Sequence, residues 1–171
     1  MKQYFINGAL TLMLAFGLTT NASAGLLGIY AGVGIGQSEI TDLNPTDDDT
    51  GTKIYAGYRI LGPLAIEVAS VDMGKFYSDA ISIDGISLDA VGYVPLGVVN
   101  VFAKAGLFSW KADYSGTLEE TGTSAKYGIG IEYNLFTAVD LRVEYETYTD
   151  VMDTTTTSDI TLISAGVNIS F

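Results

Sequence analysis

The residues best equipped for chemistry in this chain are its carboxylates. Asp140, Arg142, Glu144 and Glu146 take alternate positions of VDLRVEYETY (Val139 to Tyr148), and Glu67, Lys104 and Glu132 stand in similar settings. Paired carboxylates can move protons, ligate a hard cation or balance a fixed positive charge. The groups that usually turn such residues into a catalytic site are missing. The chain has no His, which removes the commonest general base and the commonest metal ligand. It has no Cys, so no thiolate or disulfide chemistry is open to it. A Ser/His/acid arrangement is closed for the same reason. An enzyme is therefore not expected, nor a cofactor. Eight basic residues against twenty acidic ones, a net charge of -12, argue against nucleic acid, which is bound by Lys and Arg that replace its counterions.

The elements that must position these charges are strands. In Val139 to Tyr148 the charges share one parity, while Val139, Leu141, Val143, Tyr145 and Thr147 share the other. Period two means one polar and one apolar face; on a helix the same charges would spread round the axis. The pattern recurs. Lys53, Tyr55, Gly57 and Arg59 oppose Ile54, Ala56, Tyr58 and Ile60. Ala65, Glu67, Ala69 and Val71 oppose Leu64, Ile66, Val68 and Ser70. Phe102, Lys104, Gly106 and Phe108 oppose Val101, Ala103, Ala105 and Leu107, and Lys126, Gly128, Gly130, Glu132 and Asn134 oppose Tyr127, Ile129, Ile131, Tyr133 and Leu135. The first segment, Leu27 to Ser38, and the last, Ile160 to Phe171, alternate likewise. The fourth is irregular: Ile81 and Ile83 are odd, Ile86 and Leu88 even, and a β-bulge at Asp84-Gly85 would restore one apolar face. With it there are eight strands.

Short turns at Leu61-Gly62-Pro63, Leu96-Gly97-Val98 and Leu135-Phe136-Thr137 alternate with longer polar links at Thr41 to Thr50, Phe76 to Ala80, Ser115 to Gly122 and Asp150 to Asp159. Before them stands MKQYFINGALTLMLAFGLTTNASAG: Lys2, an apolar run from Ala9 to Leu18, and a small-x-small site at Ala22 and Ala24. Residues 1–24 read as a cleaved secretory leader, too short in their apolar run to span a membrane, and residues 25–171 as one barrel domain.

Eight alternating strands fit either a soluble barrel with an apolar interior or a membrane barrel that reverses this. The charges choose the second. The polar faces mix Gly with Glu, Lys and Arg, as a narrow interior requires. The apolar faces carry no central charge, and Lys111 and Asp72 break the rule only near strand ends. Tyr58, Tyr133, Tyr145 and Phe171 suit an interfacial aromatic girdle. The expected architecture is an all-β, eight-stranded antiparallel up-and-down transmembrane β-barrel.

KIYAGYRILGPLAIEVASVDMGKF, SLDAVGYVPLGVVNVFAKAGLFSWKAD, LRVEY and the terminal Phe171 resemble the OmpA/OmpX-like outer-membrane barrel family, across nearly all of the chain from Gly25. The resemblance implies a monomer in a Gram-negative outer membrane. It implies that Glu67, Glu132, Arg142 and Glu144, with Lys104 on the fifth strand, form a lumenal charge network. It also implies that Val167, Ile169 and Phe171 carry the signal read by the barrel-assembly machinery, after escort by periplasmic chaperones. Larger members continue into a periplasmic peptidoglycan-binding domain; this sequence stops at the barrel, so cell-wall anchoring is not expected. Independently of the family, Glu67, Glu132 and Glu144 in a narrow tube would repel one another unless Arg142 and Lys104 compensate.

Function then reads as structural or surface-interacting, with outer-membrane lipid and lipopolysaccharide as neighbours, a charge-plugged lumen and acidic loops; the alternative is a narrow gated ion channel. The loop carboxylates are Asp42, Asp47, Asp48 and Asp49, Glu119 and Glu120, and Asp150, Asp153 and Asp159. Divalent cations bridging them to lipopolysaccharide phosphates is one use for them, solvated self-repelling loops the simpler one. Asp47-Asp48-Asp49 lacks the spacing of an EF-hand loop.

Overall fold

A computed structural model describes residues 28–40, 47–76, 81–114, 118–151 and 158–171. The leader with Ala22 and Ala24, and the link residues Asp42 and Asp153, lie outside the described residues. The strands are β1 (Ile29–Ile40), β2 (Asp47–Leu61), β3 (Leu64–Phe76), β4 (Ile81–Leu96), β5 (Val99–Tyr114), β6 (Leu118–Phe136), β7 (Val139–Val151) and β8 (Ser158–Ser170). Each pairs antiparallel with the next, and β8 pairs with β1 from Tyr30↔Ser170 to Ile40↔Ile160, so the sheet closes into an up-and-down barrel without an edge. Closure is completed at the chain end, where the Phe171 amide donates to the Ile29 carbonyl at 2.8 Å.

The two ends of the barrel differ. At one, tight turns at Gly62-Pro63, Gly97-Val98 and Thr137-Ala138 join the strands; this is the turn end. The other carries the longer links. Strands of 12 to 19 residues exceed the roughly 9–11 that cross a bilayer, and the surplus extends past the membrane at the link end. The links are accordingly shorter than the sequence suggests. Asp48, Asp49, Glu119, Glu120, Asp150 and Asp159 stand on strand extensions rather than in loops.

The alternating faces point as the pattern requires. Ile66, Val68, Ile129, Ile131, Leu141, Val143, Ile163 and Val167 face outward, as do Tyr58, Tyr127, Tyr133 and Tyr145. In one place the expectation fails. The β4 register runs without interruption from Ile81↔Tyr114 to Leu96↔Val99 on its β5 side, so there is no bulge at Asp84-Gly85. Ile83 is fully buried inside the barrel and Asp84 points out. The parity never slips; the chemistry of the inside changes along the strand. Toward the link end the lumen is apolar, filled by Ile40, Met73, Phe76, Ile83, Phe108, Tyr148, Val151, Ile160 and Leu162. Outside the membrane the barrel folds like a soluble protein, oily inside and acidic outside. The irregularities lie elsewhere: at Gly74 of β3, where φ is +85°, before Val151 of β7, where Asp150 takes φ 55°, and at the turn end between Arg59 and Leu61 of β2 and between Asn134 and Phe136 of β6.

Glycines let the seam close. A side chain at Gly36 would run into the Ile163 carbonyl and the Ser164 backbone of β8, and one at Gly166 into the Val33 carbonyl of β1. Since backbone cannot yield as a side-chain tip can, Gly36→Ala is expected to lower stability by about 1–3 kcal/mol. The urea midpoint of the barrel refolded into lipid vesicles measures it, and an unchanged midpoint would refute the close approach.

Candidate functional site

The inward faces bring all the lumenal charges except Asp140 into one connected set. Arg142 on β7 is at its centre. Its Nη1 donates to Glu67 Oε2 on β3 at 2.8 Å and lies 3.6 Å from Glu132 Oε1. Its Nη2 donates to Glu144 Oε2 at 3.4 Å, and its Nε makes an ion pair with Glu144 Oε1 at 3.0 Å. The guanidinium is held between the rings of Tyr55 and Phe102, 4.4 and 4.3 Å from their centroids. A planar fork flanked by two ring faces is a site for Arg, which Lys would fill poorly.

Three lysines complete the set. Lys104 on β5 pairs with Glu67 at 3.0 Å, with Glu146 at 3.0 Å, and with Glu144. Lys53 on β2 reaches Glu144 at 2.6 Å and Glu146 at 2.7 Å. Lys126 on β6 binds Asp89 at 2.8 Å, Glu146 at 3.0 Å and the Ser87 hydroxyl at 3.0 Å. The Tyr30 hydroxyl donates to Glu67 at 3.0 Å. Lys126–Glu146 and Arg142–Glu132 join the paired strands β6 and β7, whereas Arg142–Glu67 links β7 to β3 and Lys53 links β2 to β7, so these last bonds cross the lumen and tie facing walls together. Nearer the turn end, Arg59 meets Glu132 at 3.4 Å, and Asp140 accepts from the Asn168 amide at 3.3 Å and from Asn134. Apart from Arg59 these charges are buried, and all are partnered, as burial requires.

Of the five residues expected to form a lumenal network, Arg142 contacts Glu67, Glu132 and Glu144 directly, and Lys104 joins through Glu67 and Glu144. The expectation omitted Lys53, Arg59, Asp89, Lys126, Asp140 and Glu146. Their signal was present, because each has the inward parity. Of the C-terminal trio, Val167 and Ile169 face outward and Phe171 is half-buried at the seam.

Comparison with known proteins decides the family. The family described as the OmpA-like transmembrane domain matches residues 27–171. The chain belongs to the OmpA-like transmembrane domain family. Outer membrane protein A of Salmonella typhi is 25% identical over 167 residues, covering 83% of this chain and 48% of that protein, and the same figures hold for Outer membrane protein A of Klebsiella aerogenes. The chain therefore spans about half the length of these curated relatives. The crystal structure of Neisserial surface protein A shares the fold, with a TM-score of 0.72 at 22% identity over 84% of this chain and 97% of that one. So does Ail, the attachment invasion locus protein of Yersinia pestis, at 0.61 and 18% over 85% and 100%. As an OmpA-like barrel, the protein resides in the bacterial outer membrane.

Beyond the OmpA-like belt, the link end carries a different polar arrangement. Asp49 accepts from the Lys75 amide at 2.5 Å and the Thr50 amide at 2.7 Å, and the Lys75 amide above all holds its carboxyl below the ordinary value of 3.8. The contact pins the β2 extension to the Gly74 irregularity of β3. A depressed folded value means its contribution is fully present above 3.8 and is lost as pH falls through the lower folded value. The Lys75 amide proton resonance is therefore expected to hold steady while exposed aspartates titrate and to move only at lower pH; movement along with the others would refute the bond. Lys111 pairs with Asp113 at 3.3 Å and Glu119 at 2.9 Å on the outward face. Among the described residues no three carboxylates come close enough together to hold a metal ion.

Proposed function

We propose that this barrel is a non-catalytic, monomeric surface protein of the outer membrane, whose sealed body displays an acidic rim outward. The observation that carries this reading is that the lumen is filled twice over. Across the middle, the Arg142–Glu67–Lys104–Glu144–Glu146–Lys53 ion pairs join opposite walls. Toward the link end the apolar layer follows, with the Phe108 and Tyr148 rings 4.8 Å apart. Eight strands leave an interior that side chains can fill. The rival reading, a narrow gated channel, draws on the polar half of the lumen, but an ion would also have to cross a layer of packed apolar side chains, which is costly.

The charge distribution supports the display. Lys53, Arg59, Lys104, Lys126 and Arg142 are spent inside against lumenal carboxylates. The other acidic residues fall on the link-end halves of the strands or in the links, where Lys75 and Lys111 are the basic residues. The net charge of -12 is thus concentrated at one end. With that end outward, the rim adjoins lipopolysaccharide. Its strong negative potential favours cationic partners and repels anionic ones. Assembly by the barrel-assembly machinery, with periplasmic chaperones, completes the proposal.

Planar-bilayer recording of the purified barrel tests it. No discrete conductance is expected; reproducible stepwise openings would overturn the sealed-body reading in favour of a channel.

A further inference from the structure

The turn end carries a feature that the acidic rim does not use and that shares only Arg59 with the ion-pair network. A cavity of about 400 Å³ opens there, lined by Arg59, Gly62, Pro63, Tyr93, Pro95 and Asn100. A space of this size is in the range of small-ligand sites. Arg59 is the lumenal cation that remains part-exposed, at 30%. Among the described residues its hydrogen-bond partner is Glu132 Oε2, at a long 3.4 Å. The guanidinium plane is steadied by Tyr93 and Tyr30, 5.0 and 5.5 Å from their ring centroids. Asn100 adds an amide, while the two prolines and Gly62 make an apolar, rigid remainder.

The geometry points to a binding site for a small carboxylate at the turn end, with Arg59 and Asn100 as its polar contacts and Pro63, Pro95 and Tyr93 as walls for an apolar substituent. A guanidinium fork matches the two oxygens of a carboxylate better than a single, long contact to Glu132 does. On binding, the ligand takes Arg59 from Glu132, and Glu132 keeps Arg142, 3.6 Å away. The pre-positioned fork and the apolar walls select a short carboxylate such as an amino-acid or peptide end group over a bare inorganic anion.

N-acetylalanine is a suitable probe. Titrated into the full chain in nanodiscs, it is expected to produce saturable NMR shifts of the Asn100 side-chain amide and the Gly62 backbone amide. Arg59→Gln should abolish saturation, Arg59→Lys should weaken affinity at least several-fold, and Lys111→Gln, at the opposite end, should leave it unchanged. A dispersed spectrum of each variant establishes that it is folded. If Arg59→Gln does not fold, Asn100→Ala replaces it, with a weakened response expected. Non-saturating shifts, shifts unaltered by the Arg59 or Asn100 variants, or an equal response to inorganic phosphate would overturn the assignment. None of these outcomes bears on conductance, so the inference stands or falls apart from the sealed-body reading.

Discussion

Replacing Arg142 by Ala is expected to destabilise the barrel by about 3–5 kcal/mol, the cost typical of leaving buried charges without their partner. Glu67 loses its 2.8 Å donor, Glu144 loses contacts at 3.0 and 3.4 Å, and the Tyr55 and Phe102 rings lose what fills the space between them. The remaining cations cannot fully take over. Lys104 and Lys53 are already committed to Glu67, Glu144 and Glu146, and Arg59 touches only Glu132 among these carboxylates. Urea unfolding from lipid vesicles, followed by the single tryptophan, Trp110, reads the loss; that indole is buried and donates to the Ser124 hydroxyl at 2.8 Å. Arg142→Lys should recover only part of the stability, because an ammonium restores charge without the fork or the stacking. A cost below about 1 kcal/mol would mean that water already solvates these groups, and the buried network would be wrong. The variant is also expected to stay silent in a planar bilayer, since the Phe108–Tyr148 layer still fills the lumen above it.

How far the sequence could be read follows from what each feature depends on. Strand number, antiparallel order and the inward parity of Lys53, Glu67, Lys104, Lys126, Glu132, Arg142 and Glu144 rest on local alternation, which is legible residue by residue. Partner choice is not local. Lys53 meets Glu144 and Glu146 ninety-odd positions away because the closed sheet carries β2 and β7 to facing walls. The tilt and stagger of closure set that pairing, and no pattern within one strand encodes it. The Asp84-Gly85 expectation failed for a related reason. It assumed that one face keeps one chemistry throughout, whereas β4 passes from a charged lumen beside Asp89 to an apolar one at Ile83. The switch marks where strand surplus leaves the membrane, and a membrane boundary leaves no mark on period two.

Glu146 shows what that blind spot hides, and it supplies the second large effect. It was legible only as one more inward carboxylate, yet it accepts from Lys53 at 2.7 Å and forms ion pairs with Lys104 and Lys126, each at 3.0 Å. Among the described residues it is the one carboxylate that touches all three lumenal lysines. Glu146→Ala leaves Lys126 with Asp89, Lys53 with Glu144, and Lys104 with Glu67 and Glu144, so three lysines share fewer anions in a buried space. The expected loss is again about 3–5 kcal/mol. It should exceed that of Glu132→Ala, because Glu132 makes longer contacts, 3.4 Å to a part-exposed Arg59 and 3.6 Å to Arg142. The cause is separable from lost packing. If unbalanced positive charge dominates, adding Lys126→Met to Glu146→Ala should recover stability relative to the single variant, with a coupling of about 0.5–3 kcal/mol. If the two losses simply add, Glu146 acts by filling space, and the network's balance of charge is not what holds the walls together.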